Sequence, residues 1–181
     1  MSEHLGGAFE EGDPLTFMPD IWGYLLVKYA LKSVLDIGCG FGYALKWFAE
    51  QGCQILGVEG WHEAVERSQV PSVIEHDFQD GIPEISQSFD LVWSAEFLEH
   101  VEEQYLPNIM PVFQKATYSC ITHGEPGQPG YHHVNCQSDG YWIDKFAEYG
   151  MILNEQETAL LRRTDRGGLY GRRTLMLFTT Q

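Results

Sequence analysis

Val34-Leu35-Asp36-Ile37-Gly38-Cys39-Gly40-Phe41-Gly42 decides how the rest of the chain folds. Ser33 to Ile37 reads as a short buried strand, because it is apolar and closes on a glycine cluster. Tyr43 to Glu50 then carries apolar residues at helical spacing, with Gly52 placed to cap its end. Strand, glycine turn and helix open a nucleotide-binding βαβ unit, in which glycines allow a sharp turn and close approach of a ligand.

Asp36, two residues before Gly38, narrows the ligand. A dinucleotide would bring its pyrophosphate near this turn, where a carboxylate repels it. S-adenosylmethionine brings an ammonium and a sulfonium, which a carboxylate favours. Glu59 closes the next strand, Gln54 to Glu59, where an acid accepts hydrogen bonds from ribose hydroxyls. On these residues the chain resembles the class I S-adenosylmethionine-dependent methyltransferases, over roughly Leu31 to Phe178.

Outward from the turn, the pattern alternates strand and helix. Pro19 to Lys32 and Trp61 to Gln69 read as helices, and Ser72 to His76 as the third strand. Phe89 to Ala95 is the fourth strand, Glu96 to Val101 a helix start, and Leu106 to Ala116 a further helix. Tyr118 to Thr122, Ile152 to Glu157 and Arg173 to Thr179 complete the strands, with a helix over Tyr141 to Tyr149. This alternation predicts one α/β, Rossmann-like, doubly wound domain over residues 14–181, behind a flexible segment at 1–13. The resemblance implies the methyltransferase order of seven strands, the last antiparallel.

The resemblance also extends the cofactor set. Gly38 and Gly40 belong to the turn, and Ala95 ends the fourth strand. Asp77 is expected at the adenine amino group, Phe78 under the ring and Trp61 over its other face, though both aromatics also suit an ordinary core.

Glu96-Phe97-Leu98-Glu99-His100 follows the fourth strand. On a helix, Glu96, Glu99 and His100 stand at i, i+3 and i+4 and share one face, a donor set suited to Mg²⁺ or Mn²⁺. This ExxEH pattern resembles that of two metal-dependent groups, the small-RNA 3′-terminal 2′-O-methyltransferases and the ubiquinone-pathway O-methyltransferases. In the RNA group a further histidine before a Trp-containing helix completes the site. Here His132 and His133 precede Trp142, with His133 preferred as ligand and either one as proton acceptor; His100 joins the catalytic set. His123, directly after the fifth strand, is a third candidate base. The expected reaction is metal-assisted O-methylation, the metal lowering the pKa of one of two adjacent hydroxyls.

The chain has 181 residues, enough for one domain with a good core. Its 11 Lys plus Arg against 26 Asp plus Glu, a net charge of −15, disfavour long nucleic acid as a partner. Arg162, Arg163, Arg166, Arg172 and Arg173 form the basic concentration. Four scattered cysteines without a CxxC pair suit a reducing, cytoplasmic setting, and no long apolar run predicts a membrane span. A small molecule or glycan is the expected acceptor, a sugar hydroxyl first, with a monomer or homodimer as the assembly. Tyr131, Tyr141, Trp142 and Tyr170 are candidates to stack on it. The alternatives are a catechol O-methyltransferase, an RNA 2′-O-methyltransferase, a carboxyl or N-methyltransferase and a non-catalytic cofactor-binding subunit.

Overall fold

The computed structural model describes residues 4–5, 12–164 and 168–181. Most of the 1–13 segment and Arg166 therefore lie outside the described residues.

Seven strands form one sheet: β1 (Ser33–Ile37), β2 (Gln54–Glu59), β3 (Val73–Glu75), β4 (Phe89–Ser94), β5 (Ala116–Ile121), β6 (Met151–Leu153) and β7 (Met176–Thr180). Their spatial order is β3-β2-β1-β4-β5-β7-β6. The first five pair in parallel, whereas β7 runs antiparallel to both β5 and β6. This is the expected doubly wound α/β methyltransferase sheet. Its order reverses between β1 and β4, and the carboxyl ends on either side of that switch point open a crevice.

Alternation along the strands sends side chains to two cores. Leu35 and Ile37 join Val92, Ile121 and Phe178 under α4 (Leu106–Phe113) and α5 (Asp139–Glu148). Val34 joins Leu91, Trp93 and Leu177 under α1 (Pro19–Lys28), α2 (Tyr43–Glu50) and α6 (Glu155–Thr164). Asp36 shares the parity of Val34 and so faces the α1/α2 side, with 3% of its surface exposed. Two further helices are short, α3 (His62–Glu66) and α7 (Leu169–Thr174).

The structure corrects two element boundaries with consequences for the site. Strand six ends at Leu153, and the expected strand to Glu157 gives way to α6, which also carries Arg162 and Arg163. Asn154 accounts for this, since its side chain accepts from Glu157 N at 3.0 Å and caps the helix. Acids in the first turn and Arg162 and Arg163 in the last match the helix dipole. Glu96 to Val101 is not an α-helix either. Glu96 sits in the left-handed region at φ 50°, its N–H donating to Thr122 Oγ1 at 3.0 Å, and only Leu98–His100 forms a 3₁₀ turn.

Candidate active site

The glycine turn is braced from both sides. Gly38 N donates to the Val58 carbonyl at 2.9 Å, tying the turn to β2. At φ +70°, a Cβ on Gly38 would lie 2.3 Å from the Phe97 ring, so only glycine fits. Glu59 places one oxygen 2.8 Å from Gly40 N and the other 2.8 Å from Trp61 N. It thus joins the first turn to the one after β2. Asp36 has no such partners among the described residues: burial first, and then the Glu59 charge, push its carboxyl well above the usual carboxylate range.

These residues floor a cavity of about 730 Å³. Trp61, Asp77, Phe78 and Ala95 line it too. Asp77 Oδ1 accepts from Gln79 N at 2.9 Å, and Oδ2 lies 2.7 Å from His4 Nε2. The chain's own imidazole thus occupies the carboxylate assigned to an adenine amino group.

Across the cavity, ligand atoms of Glu99, His100 and His133 lie within 4.8 Å of one another. Glu99 is fully buried and neither of its oxygens has a hydrogen-bond partner among the described residues, nor does the buried His100 Nδ1. Burial and Glu96 push the Glu99 carboxyl well up, while burial and His133 push His100 down to about 4. His133 Nδ1 lies 3.1 Å from the Gln128 carbonyl, which can only accept, so neutral His133 carries its lone pair on Nε2. The ring packs where Gly130 would have a Cβ, 2.2 Å from Nε2, so Gly130 is part of the site although nothing in its own chemistry marks it. The loop carrying His133 hangs from Glu99 itself: the Glu99 carbonyl accepts from Val134 N and Asn135 N, both at 3.0 Å.

A buried carboxyl whose oxygens have no hydrogen-bond partner among the described residues, beside two imidazoles, is a donor set that could hold a divalent ion.

Several expected residues stand elsewhere. Glu96 is outside the three-residue group, because the helical face that would have aligned it does not form. It still lines the cavity, with one oxygen 3.2 Å from Gln128 Nε2 and the other buried and unpartnered. His132, at φ 47°, has its ring centroid 6.0 Å from that of His4; it is not in the three-residue group and does not line the cavity, though its charge still bears on His100. His123 is 1% exposed and lies 3.1 Å from Asp139, outside the cavity. Trp142 is core, and the Tyr141 hydroxyl donates to Glu103; neither lines the cavity, unlike Tyr131 and Tyr170. Asp13, Phe17 and Glu102 are walls missed in the sequence, since only the packing of the Pro14–Thr16 turn and α7 brings that side together.

Residues 35–116 match the model of a methyltransferase domain. The ubiquinone biosynthesis O-methyltransferase of Vibrio vulnificus is 30% identical over 80 residues, covering 40% of this chain and 34% of that protein. The chain therefore spans about a third of the length of the curated relatives it matches. Among solved structures, a TehB-like SAM-dependent methyltransferase from Corynebacterium glutamicum is similar in fold. Its TM-score is 0.64 at 17% identity, covering 91% of this chain and 89% of that one. The plantazolicin methyltransferase BpumL, in complex with a pentazolic desmethylPZN analog and SAH, has a TM-score of 0.59 at 13% identity over 90% of this chain and 83% of that one. The domain match and the shared fold support a class I S-adenosylmethionine-dependent methyltransferase.

Proposed function

We propose that this chain is an S-adenosylmethionine-dependent O-methyltransferase that holds a divalent ion beside the methyl donor and takes an acceptor with adjacent hydroxyls. The observation that carries it is the Glu99 carboxylate, buried and unpartnered in the same cavity as the glycine turn. The relatives named for ubiquinone biosynthesis add weight to oxygen as the accepting atom.

S-adenosylmethionine supplies an electrophilic methyl on a sulfonium, and the ion supplies Lewis acidity toward the hydroxyl. The protein's part is position and charge. Asp36 would face the ammonium, Glu59 the ribose hydroxyls, and Phe78 with Trp61 the adenine, which Asp77 would reach only by giving up His4. Glu99, His100 and His133 would hold Mg²⁺ or Mn²⁺, with Fe, Co or Zn also suited to two imidazoles. Closing the reactants into one walled cavity supplies much of the rate through orientation. The rings of Phe17, Tyr43 and Tyr131 at the opening favour a flat aromatic diol over the sugar expected from the sequence, so a catechol-type acceptor takes first place.

A second reading needs no ion: the lone pair of His133 Nε2 would take the hydroxyl proton directly. Calorimetry and a chelator separate these. Wild type should bind S-adenosylhomocysteine and about one Mn²⁺ per chain, and Glu99→Gln should lose the ion while keeping the nucleoside. Full turnover in the chelator would leave only the histidine mechanism. Absence of any heat with S-adenosylhomocysteine would remove the methyltransferase reading itself.

A further inference from the structure

Apart from imidazoles, the charge-bearing side chains among the described residues that line the cavity are all carboxyls. Around the glycine turn stand Asp36, Glu59 and Asp77; on the acceptor side stand Asp13, Glu96, Glu99 and Glu102. No lysine or arginine is among the described residues that line it. The basic groups present are imidazoles, and most are already committed. His4 lies on Asp77, and His76 and His133 spend an N–H on the carbonyls of Gly81 and Gln128.

Among the described residues, no lysine or arginine forms an ion pair with these acceptor-side acids. Both Glu99 oxygens and one Glu96 oxygen are buried without partners. Arg162 and Arg173, close in sequence to Tyr170, bind Asp139 and Glu125 instead. A divalent ion would hold Glu99 ionised, and the three further carboxyls of Asp13, Glu96 and Glu102 would outweigh the one positive charge left over. Low-dielectric walls weaken screening there, so an anion entering would lose its water and meet carboxyl groups with no lysine or arginine beside them among the described lining residues. A cation meets the opposite situation. At the mouth, Phe17, Tyr43 and Tyr131 are between 38% and 49% exposed, and their ring faces attract ammonium groups.

Resting on the methyltransferase reading above, we propose that the acceptor is chosen by charge. The cavity admits an uncharged or ammonium-bearing diol and refuses one that carries a carboxylate or phosphate. Glu102 is the rim residue that sets this preference. It lines the cavity, is partly exposed, and is held by Gln104 Nε2 at 2.6 Å.

Three probes share one ring and one two-carbon arm: dopamine ends in ammonium, ethylcatechol has no charge, and dihydrocaffeate ends in carboxylate. Release of S-adenosylhomocysteine would be followed for each, with S-adenosylhomocysteine affinity measured alongside. The expected kcat/KM for dopamine and ethylcatechol exceeds that for dihydrocaffeate by about tenfold or more. Glu102→Lys should narrow that ratio several-fold, and Glu102→Gln should narrow it less. Comparable turnover of dihydrocaffeate by wild type overturns the proposal, and an unchanged ratio in Glu102→Lys overturns the role of Glu102. If none of the three reacts while S-adenosylhomocysteine still binds, the diol acceptor falls and this inference with it. If S-adenosylhomocysteine does not bind, the methyltransferase reading is what fails.

Discussion

Asp36 carries its charge against its surroundings. It sits on a central strand, and both burial and Glu59 favour its protonated form, so the ligand-free protein keeps a proton there above the usual 3.8. A carboxyl raised on folding makes the folded state bind more protons than the unfolded chain. Asp36 therefore costs stability as pH rises from its unfolded value toward its folded one, and a bound ammonium relieves that cost. Binding of S-adenosylmethionine should release a proton in this window, and affinity should improve as pH rises through it. Calorimetry in two buffers of different ionisation heat reads the release directly. Asp36→Asn should abolish it and weaken binding by about tenfold or more. Heats independent of buffer in wild type would contradict this account.

At the scale of elements, the piece most legible in the sequence was the one built from neighbours. β1, the glycine turn and α2 follow one another without interruption, and their residues declare their conformation locally. The ligand cluster was legible by residue type but not by geometry. Glu99 and His100 share a 3₁₀ turn, and His133 reaches them through backbone hydrogen bonds that no spacing rule records. Helix α6 was missed although Asn154 and Glu157 form a recognisable cap, because the apolar run before it reads on as a strand. His123 shows the reverse error, a residue with catalytic chemistry used as a fastener. It lies 3.1 Å from Asp139, which also accepts from Arg162 Nη2 at 2.8 Å, joining the end of β5, α5 and α6. Burial alone would raise Asp139, but the hydrogen bonds from His123 and Arg162 outweigh it and hold the carboxyl below its ordinary value. The stability from this lowered carboxyl is present above its unfolded value of 3.8 and is lost as pH falls through the folded one. Asp139→Asn should destabilise the protein by about 1 kcal/mol at neutral pH, a modest figure because solvent screens the half-exposed group. Thermal unfolding should show the difference from wild type shrinking in acid.

For the whole molecule, the sheet order is what brings distant chemistry to one opening. Because β1 and β4 are neighbours, the glycine turn after one and the Glu99 turn after the other share a crevice, with the β5–α5 loop leaning over it. The strand order followed from family resemblance, whereas the walls formed by Asp13, Phe17 and Tyr170 depend on how α7 and the Pro14–Thr16 turn meet. No helix among the described residues is long and apolar enough to cross a membrane.

Suspending the Val134–Asn135 backbone from the carbonyl of Glu99 makes assembly of the donor set collective. Whatever steadies one member steadies the strut that delivers another, so occupancy leaves a mark on main-chain protons as well as on turnover. Deuterium uptake at those two amides should slow when Mn²⁺ is added and stay fast in His100→Ala. Identical uptake with and without the ion would mean the strut is indifferent to what its imidazole holds.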